Sequence, residues 1–384
     1  MPVKKFPSMN EHSRIFDFMY YQLEHFPKTD MFAAKINNAW EPISTAETIA
    51  IVNRLSAGLV KNGVGGNDMT VEKQDKVALI SRNRPEWLML DMACQQIGAI
   101  LCPIYPTTNV NELEFIFNDA EIKIAFVSGN DILQKVNDIK FKVPSLLDVY
   151  DFDVADGVKF WKDLLINITD DDLQNLELIK ASIKAHHCAT IIYTSGTTGR
   201  PKGAELSHSN LLFNAIISCG LMDANPNDVS LIVLPLFHIF GMTVMMNALI
   251  YKGGSSVLLP RFDAATVFRL MQKNKVTVFA GVPTMYWGLL NCIDTSLDYD
   301  NIAATLKICL SGGASLPVQV LKDFEKRFNV PIIEGYGMSE GSPVVTFNQL
   351  ETGRKPGSIG TSVWGVDVKL VDAKGKEVPV GEKG

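Results

Sequence analysis

Tyr193-Thr194-Ser195-Gly196-Thr197-Thr198-Gly199-Arg200-Pro201-Lys202-Gly203 is the stretch on which the reading of this chain turns, and it follows directly on the apolar run Ala189–Ile192. Each residue type has a physical task. Gly196, Gly199 and Gly203 lack a Cβ, so the chain can bend tightly and offer its N–H groups to an anion. Thr194, Ser195, Thr197 and Thr198 supply hydroxyls that can donate to phosphate oxygens or ligate magnesium. Lys202 adds a compact positive charge, and Pro201 stiffens its approach. The segment reads as a loop that handles phosphate.

It does not fit a Walker A loop, which needs glycine before the lysine and Ser or Thr after it. Pro201 and Gly203 occupy those places. Upstream, short apolar runs alternate with amphipathic segments from Asp75 onward. Lys76–Ile80 reads as a strand, then a helix from Pro85 to about Gln96, with proline at the helix start. Strands over Ala99–Ile104, Lys123–Val127 and Leu146–Tyr150 follow, separated by helices over Asn111–Asn118 and Ile132–Ile139. Such β-α repetition implies a parallel, doubly wound sheet. The polar stretch Phe160–Ala185, with Asp170-Asp171-Asp172 inside it, reads as a solvated connection. Downstream, a second series is expected to begin with the strand before the loop, and a helix starts near Ser207-His208-Ser209-Asn210, where Ser or Asn can cap it. Further strands are expected at Val229–Leu234, Ser256–Leu259, Thr277–Ala280, Leu306–Leu310 and Pro331–Ile333. Turn residues after Val344 suggest a small antiparallel β element. The fold class is therefore α/β, with two doubly wound, mostly parallel sheets packed with helices and a small antiparallel, β-barrel-like subdomain. The expected subdomains are about 70–185, 186–340 with the phosphate loop, and 341–384.

A chain of 384 residues exceeds what one hydrophobic core supports, consistent with subdomains. Its net charge of −6, with no basic block, argues against nucleic acid as a partner. Six cysteines (Cys94, Cys102, Cys188, Cys219, Cys292, Cys309) form no CxxC pair, which favours reduced thiols and a cytoplasmic setting. His186-His187-Cys188 is a poor metal site, since adjacent side chains on a strand cannot face one point. No apolar leader follows the first lysines. Leu231–Ile250 has no acidic or basic side chain apart from His238 and is long enough to span a bilayer. Pro235, Gly241 and Asn247 interrupt it, so strand, loop and buried helix fit better. Peripheral contact is the membrane role left open.

Four further clusters follow predicted strands: Pro235-Leu236-Phe237-His238-Ile239-Phe240-Gly241, Gly281-Val282-Pro283-Thr284, Ser311-Gly312-Gly313-Ala314 and Glu334-Gly335-Tyr336-Gly337-Met338-Ser339-Glu340. The ends of parallel strands are where ligands of open α/β sheets gather. Small residues let a flat ring lie on the backbone, an adenine could stack on Tyr336, and Glu340 could hold Mg²⁺. Taken in order, and with Gly357-Ser358-Ile359-Gly360 behind them, these segments resemble the AMP-forming adenylating enzymes over roughly residues 30–384.

The resemblance implies roles residue by residue. Thr194 and Glu340 match the magnesium ligands; Ser195, Gly196, Thr197, Thr198, Gly199 and Lys202 match the loop that handles the β- and γ-phosphates. Gly313, Ala314, Glu334, Gly335, Tyr336 and Gly337 match the adenine wall. Ser339 stands where the family usually has threonine, keeping a hydroxyl for the α-phosphate. His238 matches the residue beside the substrate carboxylate, with Ile239, Met242, Gly281, Val282 and Gly312 around the acyl pocket. Lys202, His238, Ser339 and Glu340 would carry the catalytic work. The implied reaction joins a carboxylate to the α-phosphorus of ATP, releases pyrophosphate, and passes the acyl group to coenzyme A. ATP, Mg²⁺, an acid and coenzyme A are thus the implied partners.

The sequence stops at Gly381-Glu382-Lys383-Gly384, where the family leads into a Tyr-Arg-Thr-Gly-Asp-like segment and a small domain with an essential lysine. The resemblance therefore implies the large N-terminal domain, expected to bind ATP weakly, adenylate poorly and form no thioester alone. An amino-acid-activating site would be expected to place an aspartate after the Phe of the Pro-Leu-Phe-His segment. Positions 238–250 hold no acidic residue, and Met242–Ile250 suits an alkyl chain. A medium- or long-chain fatty acid is the expected substrate, ahead of aryl acids and a lid-less binding module.

Overall fold

The computed structural model describes residues 14–384 except 37–38, 67, 196–198, 293 and 352, together with all but the side chains of Ile36 and Ser195. Gly196, Thr197 and Thr198 therefore lie outside the described residues. The strands in chain order are β1 (Phe32–Ile36), β2 (Ala39–Ile43), β3 (Lys76–Ile80), β4 (Ile100–Pro103), β5 (Ile122–Val127), β6 (Asp148–Asp151), β7 (Lys159–Phe160) and β8 (Cys188–Ser195). After the phosphate loop come β9 (Pro201–Ser207), β10 (Val229–Ile232), β11 (Ser255–Leu258), β12 (Val278–Gly281), β13 (Ile308–Ser311), β14 (Ile332–Gly337), β15 (Val344–Phe347) and β16 (Thr361–Ser362).

They form two sheets, ordered β7-β6-β5-β3-β4-β8-β9 and β16-β15-β14-β13-β12-β10-β11-β1-β2. The first is parallel up to its β8–β9 edge. The second is parallel from β14 to β1, with antiparallel margins. Strand side chains divide by the two-residue period. In the first sheet Val77 and Leu79 join one core while Ala78 and Ile80 join another. In the second, Ile232 and Leu258 share the core of Val77, whereas Leu231 and Val257 pack into a third buried core on the sheet's other face. The common core is a helical layer between the sheets. It includes the helix Pro85–Gln96, buried along nearly its whole length, and the helix His208–Met222. Burial on every face explains why Pro85–Gln96 has no polar stripe.

The expected division of the chain is corrected in three places. First, the strand before the phosphate loop opens no second sheet. Leu101 pairs with Thr190, whose Oγ1 donates to the Leu101 carbonyl at 2.8 Å, so β8 extends the first sheet. The loop then closes an antiparallel hairpin with β9. Second, the antiparallel element at the end of the chain closes no barrel among the described residues: β15 and β16 pair antiparallel at the margin of the second sheet, and beyond them Val371 and Glu377 form an isolated antiparallel bridge. Third, the acidic run begins the helix Asp170–Ser182. Thr169 and Asp172 form a reciprocal capping box, and Lys61 pairs with Asp172 at 2.9 Å. Carboxylates at a helix N-terminus meet its free N–H groups and favourable dipole.

The apolar stretch 231–250 resolves as strand, loop, an eight-residue π-helix (Phe240–Asn247) and a helical turn. No helix among the described residues is long and apolar enough to cross a membrane.

Candidate active site

Every chemical cluster except the phosphate loop leaves a parallel strand of the second sheet at its carboxyl end. Thr194 approaches from the first sheet, near the end of β8. A cavity of about 280 Å³ forms where they meet. Its wall includes Thr194, His238, Ile239, Phe240, Gly312, Gly313, Gly335, Tyr336, Gly337, Ser339 and Glu340. A second cavity of about 430 Å³ adjoins it, and Thr194, His238 and Ser339 border both. Three polar side chains from two sheets therefore mark the junction.

Close packing shapes this wall. A Cβ on Gly335 would lie 2.1 Å from Phe347 Cδ2, so only glycine lets β14 pass that ring. A Cβ on Gly241 would stand 2.4 Å from the Pro235 carbonyl oxygen. The start of the π-helix is thus pressed onto the loop that carries His238. Tyr336 is 46% exposed, leaving its ring open on the wall. Asn214, from the helix His208–Met222, donates to the carbonyls of Gly341 and Val344 at 3.2 and 3.1 Å and accepts from the Val344 N–H at 3.1 Å. This fixes the turn after Ser339 and Glu340.

His238 Nδ1 accepts from the Phe240 N–H at 3.2 Å, and burial lowers its pKa below 6.5. The imidazole is therefore neutral at pH 7, with Nε2–H as its donor. Among the described residues, Thr194 Oγ1 makes a 3.5 Å contact with the Lys202 carbonyl and no shorter one. The exposed Glu340 carboxylate has no ion pair among the described residues. A hydroxyl and a carboxylate on one wall suit magnesium, which takes few protein oxygens when phosphates supply the rest. Among the described residues no three His, Cys, Asp or Glu side chains converge into a metal cage.

Other expected residues sit elsewhere. Met242 is fully buried in the core between the sheets, not on the cavity wall. Glu334 is buried, and its carboxylate accepts from the Gly357 N–H at 3.1 Å, so it braces the wall from behind. Gly281 ends β12 beneath the surface; Val282 Cγ1 lies 3.5 Å from where a Gly313 Cβ would be, one layer back. Ala314 and Lys202 are exposed beside the cavities, outside their linings. The backbone of Ser195 and Gly199 lies at the two ends of the loop expected to handle phosphate.

Sequence reasoning missed Tyr105, Thr107 and Thr108, which line the second cavity after β4. Tyr105 packs on Phe237 with centroids 4.7 Å apart, joining loops of the two sheets. Lys135 Nζ holds this loop through the Pro106 and Thr108 carbonyls, each at 3.0 Å. The available signal was position, because the segment leaves the carboxyl end of a predicted parallel strand.

Residues 21–384 match the AMP-binding enzyme family. The long-chain-fatty-acid–CoA ligase of Bacillus subtilis (strain 168) is 32% identical over 80% of this chain and 57% of its own length. A feruloyl-CoA synthase of Amycolatopsis is 29% identical over 92% of this chain and 66% of its own. Among solved structures, ATP-bound MatB from Rhodopseudomonas palustris superposes with a TM-score of 0.81 at 29% identity, covering 96% of this chain and 68% of MatB. The chain belongs to the AMP-binding enzyme family. It spans about three fifths to two thirds of the length of these curated relatives.

Proposed function

We propose that this chain forms the ATP- and acid-binding part of an enzyme that activates a carboxylic acid as its acyl-adenylate, towards a coenzyme A thioester. The observation that carries the reading is the convergence of Thr194, His238, Tyr336, Ser339 and Glu340 on one cavity. In this reading the acid's carboxylate attacks the α-phosphorus in line and pyrophosphate leaves. A carboxylate is a weak nucleophile approaching an anion, so catalysis rests on positioning and fixed donors. Neutral His238 donates to the carboxylate, Ser339 to the α-phosphate, and Tyr336 stacks on adenine. Lys202 and the Ser195–Gly199 loop handle the outer phosphates. Thr194 and Glu340 would hold Mg²⁺, which would neutralise phosphate charge.

The acid is assigned as a medium- or long-chain fatty acid. Ile239, Phe240, Val344 and Phe347 give the cavity an apolar side, and positions 238–250 offer no partner for an amine. The Bacillus relative carries a long-chain-fatty-acid ligase name. An aryl acid is the second reading. It is favoured by the aromatic rings of Phe240 and Phe347 on the cavity wall and by the feruloyl-CoA synthase name of the Amycolatopsis relative.

Calorimetry with sulfamoyl-adenosine analogues carrying decanoyl, feruloyl or leucyl groups tests this without requiring turnover. The decanoyl analogue should bind at least about tenfold tighter than the leucyl one. Tighter feruloyl binding would move the assignment to aryl acids. No binding by any analogue would reject adenylate formation at this site.

A further inference from the structure

Asn83 lies between β3 of the first sheet and the helix Pro85–Gln96, and is only 4% exposed. Its carboxamide reaches into the second sheet. Nδ2 stands 3.3 Å from the Ile232 carbonyl, 3.0 Å from that of Leu234 and 3.2 Å from that of Leu259. Its two hydrogens are shared among these three acceptors. Oδ1 accepts from the Leu236 N–H at 2.8 Å. One side chain thus gathers the carboxyl ends of β10 and β11 and the loop that runs from β10 to His238.

That loop is short, and among the described residues the side-chain hydrogen bonds to its backbone between 233 and 237 come from Asn83. Leu234 and Leu236 flank Pro235, which has no N–H of its own. The Pro235 carbonyl accepts from the His238 N–H at 3.1 Å, and the His238 carbonyl accepts from Met242 N–H at 3.1 Å. A shift at Leu236 is therefore passed to the imidazole two residues on. A carboxamide is required because the position must donate and accept at once. Aspartate could not donate, and an aliphatic residue would orphan the buried Leu236 N–H and remove the amide donor from the Leu234 and Leu259 carbonyls, while the Ile232 carbonyl would keep the Leu259 N–H at 3.0 Å. Arg84 before Pro85 is extended, as expected ahead of proline, and this directs residue 83 across the gap.

We infer that Asn83 is a positioning residue. It locks the His238 loop of the second sheet to the first sheet and so sets where the acid's carboxylate can lie against the phosphate-handling hairpin. The inference rests on the reading of His238 given above. It assigns Asn83 no contact with substrate.

The test uses the intact chain in two ways. In the unsubstituted protein, hydrogen exchange at the Leu236 amide should be as slow as at the β10 amides; rapid exchange there would overturn the lock. In Asn83→Ala, and in the milder Asn83→Ser, affinity for decanoyl-sulfamoyl-adenosine should fall at least about tenfold while affinity for ATP changes less than about threefold. An equal loss of both ligands, tracking a lowered melting temperature, would mean a purely structural role and overturn the proposal. If the unsubstituted chain binds no analogue, the functional reading fails, while the Leu236 exchange rate still decides whether the lock exists.

Discussion

Among the described residues, Thr194 and Glu340 carry an oxygen onto the wall without a strong intramolecular partner. Thr194→Val should therefore fold normally and weaken Mg-ATP binding about tenfold or more, with Glu340→Gln behaving likewise. Titration with and without magnesium checks this, since metal-independent affinity should barely change. Equal affinity of both variants and the parent for Mg-ATP would remove them from the metal site. At Gly335 the prediction concerns space. Gly335→Ala drives a methyl into the Phe347 ring and should cost about 1–3 kcal/mol, read as a lower urea midpoint, together with loss of nucleotide binding. Residue types alone drew attention to Thr194, His238, Tyr336, Ser339 and Glu340. Tyr105 and Thr108 gave no such signal, because an ordinary Tyr-Pro-Thr-Thr loop acquires meaning only when the second sheet brings Phe237 against it.

At the scale of elements, hydrophobic periodicity placed most strands and helices close to where they lie, and proline fixed the start of Pro85–Gln96. Periodicity could not tell which sheet a strand joins. Ala189–Ile192 is an apolar run that would suit either sheet, and only its pairing with β4 decides. The bonds that set loop geometry were equally hidden. Asn214 and Val344 are far apart in the chain, and nothing in either neighbourhood announces the contact. Asn214→Ala leaves the buried Val344 N–H without a partner and should destabilise the fold by about 1–3 kcal/mol. Hydrogen exchange should show the loss concentrated at 341–344. A uniform loss of protection would contradict the clamp.

Two buried groups give the whole molecule opposing responses to acid. His208 is enclosed; burial, then the Arg14 charge, pull its pKa from 6.5 to about 3. The unfolded chain takes up that proton below pH 6.5 and the folded chain does not, so stability falls as pH drops from 6.5 towards 3. Burial raises Asp91 from 3.8 to about 7. Here the folded chain keeps a proton that the unfolded chain releases, so stability falls as pH rises from 3.8 towards 7. The slopes oppose one another, each at most about 1.4 kcal/mol per pH unit. Asp91→Asn retains an acceptor for Gln95 Nε2, which donates to Asp91 Oδ1 at 2.6 Å. It should leave a protein whose urea midpoint climbs steadily between pH 4.5 and 6.5. An unaltered slope in that variant would show that Asp91 ionises normally.

The β1–β2 hairpin has a consequence for synthesis. Phe32 and Ala33 leave the ribosome well ahead of their parallel partners, Ser256 and Val257. At about 5–20 residues per second the hairpin waits on the order of 10–40 s for its neighbour. During that interval Phe32, fully buried in the finished fold, has no sheet to cover it. Nascent chains arrested before residue 258 should be cut by protease within 32–43, and chains arrested well beyond it should resist. Slower translation would lengthen this exposure, so holdase chaperones would raise the yield of folded protein most when elongation is slow.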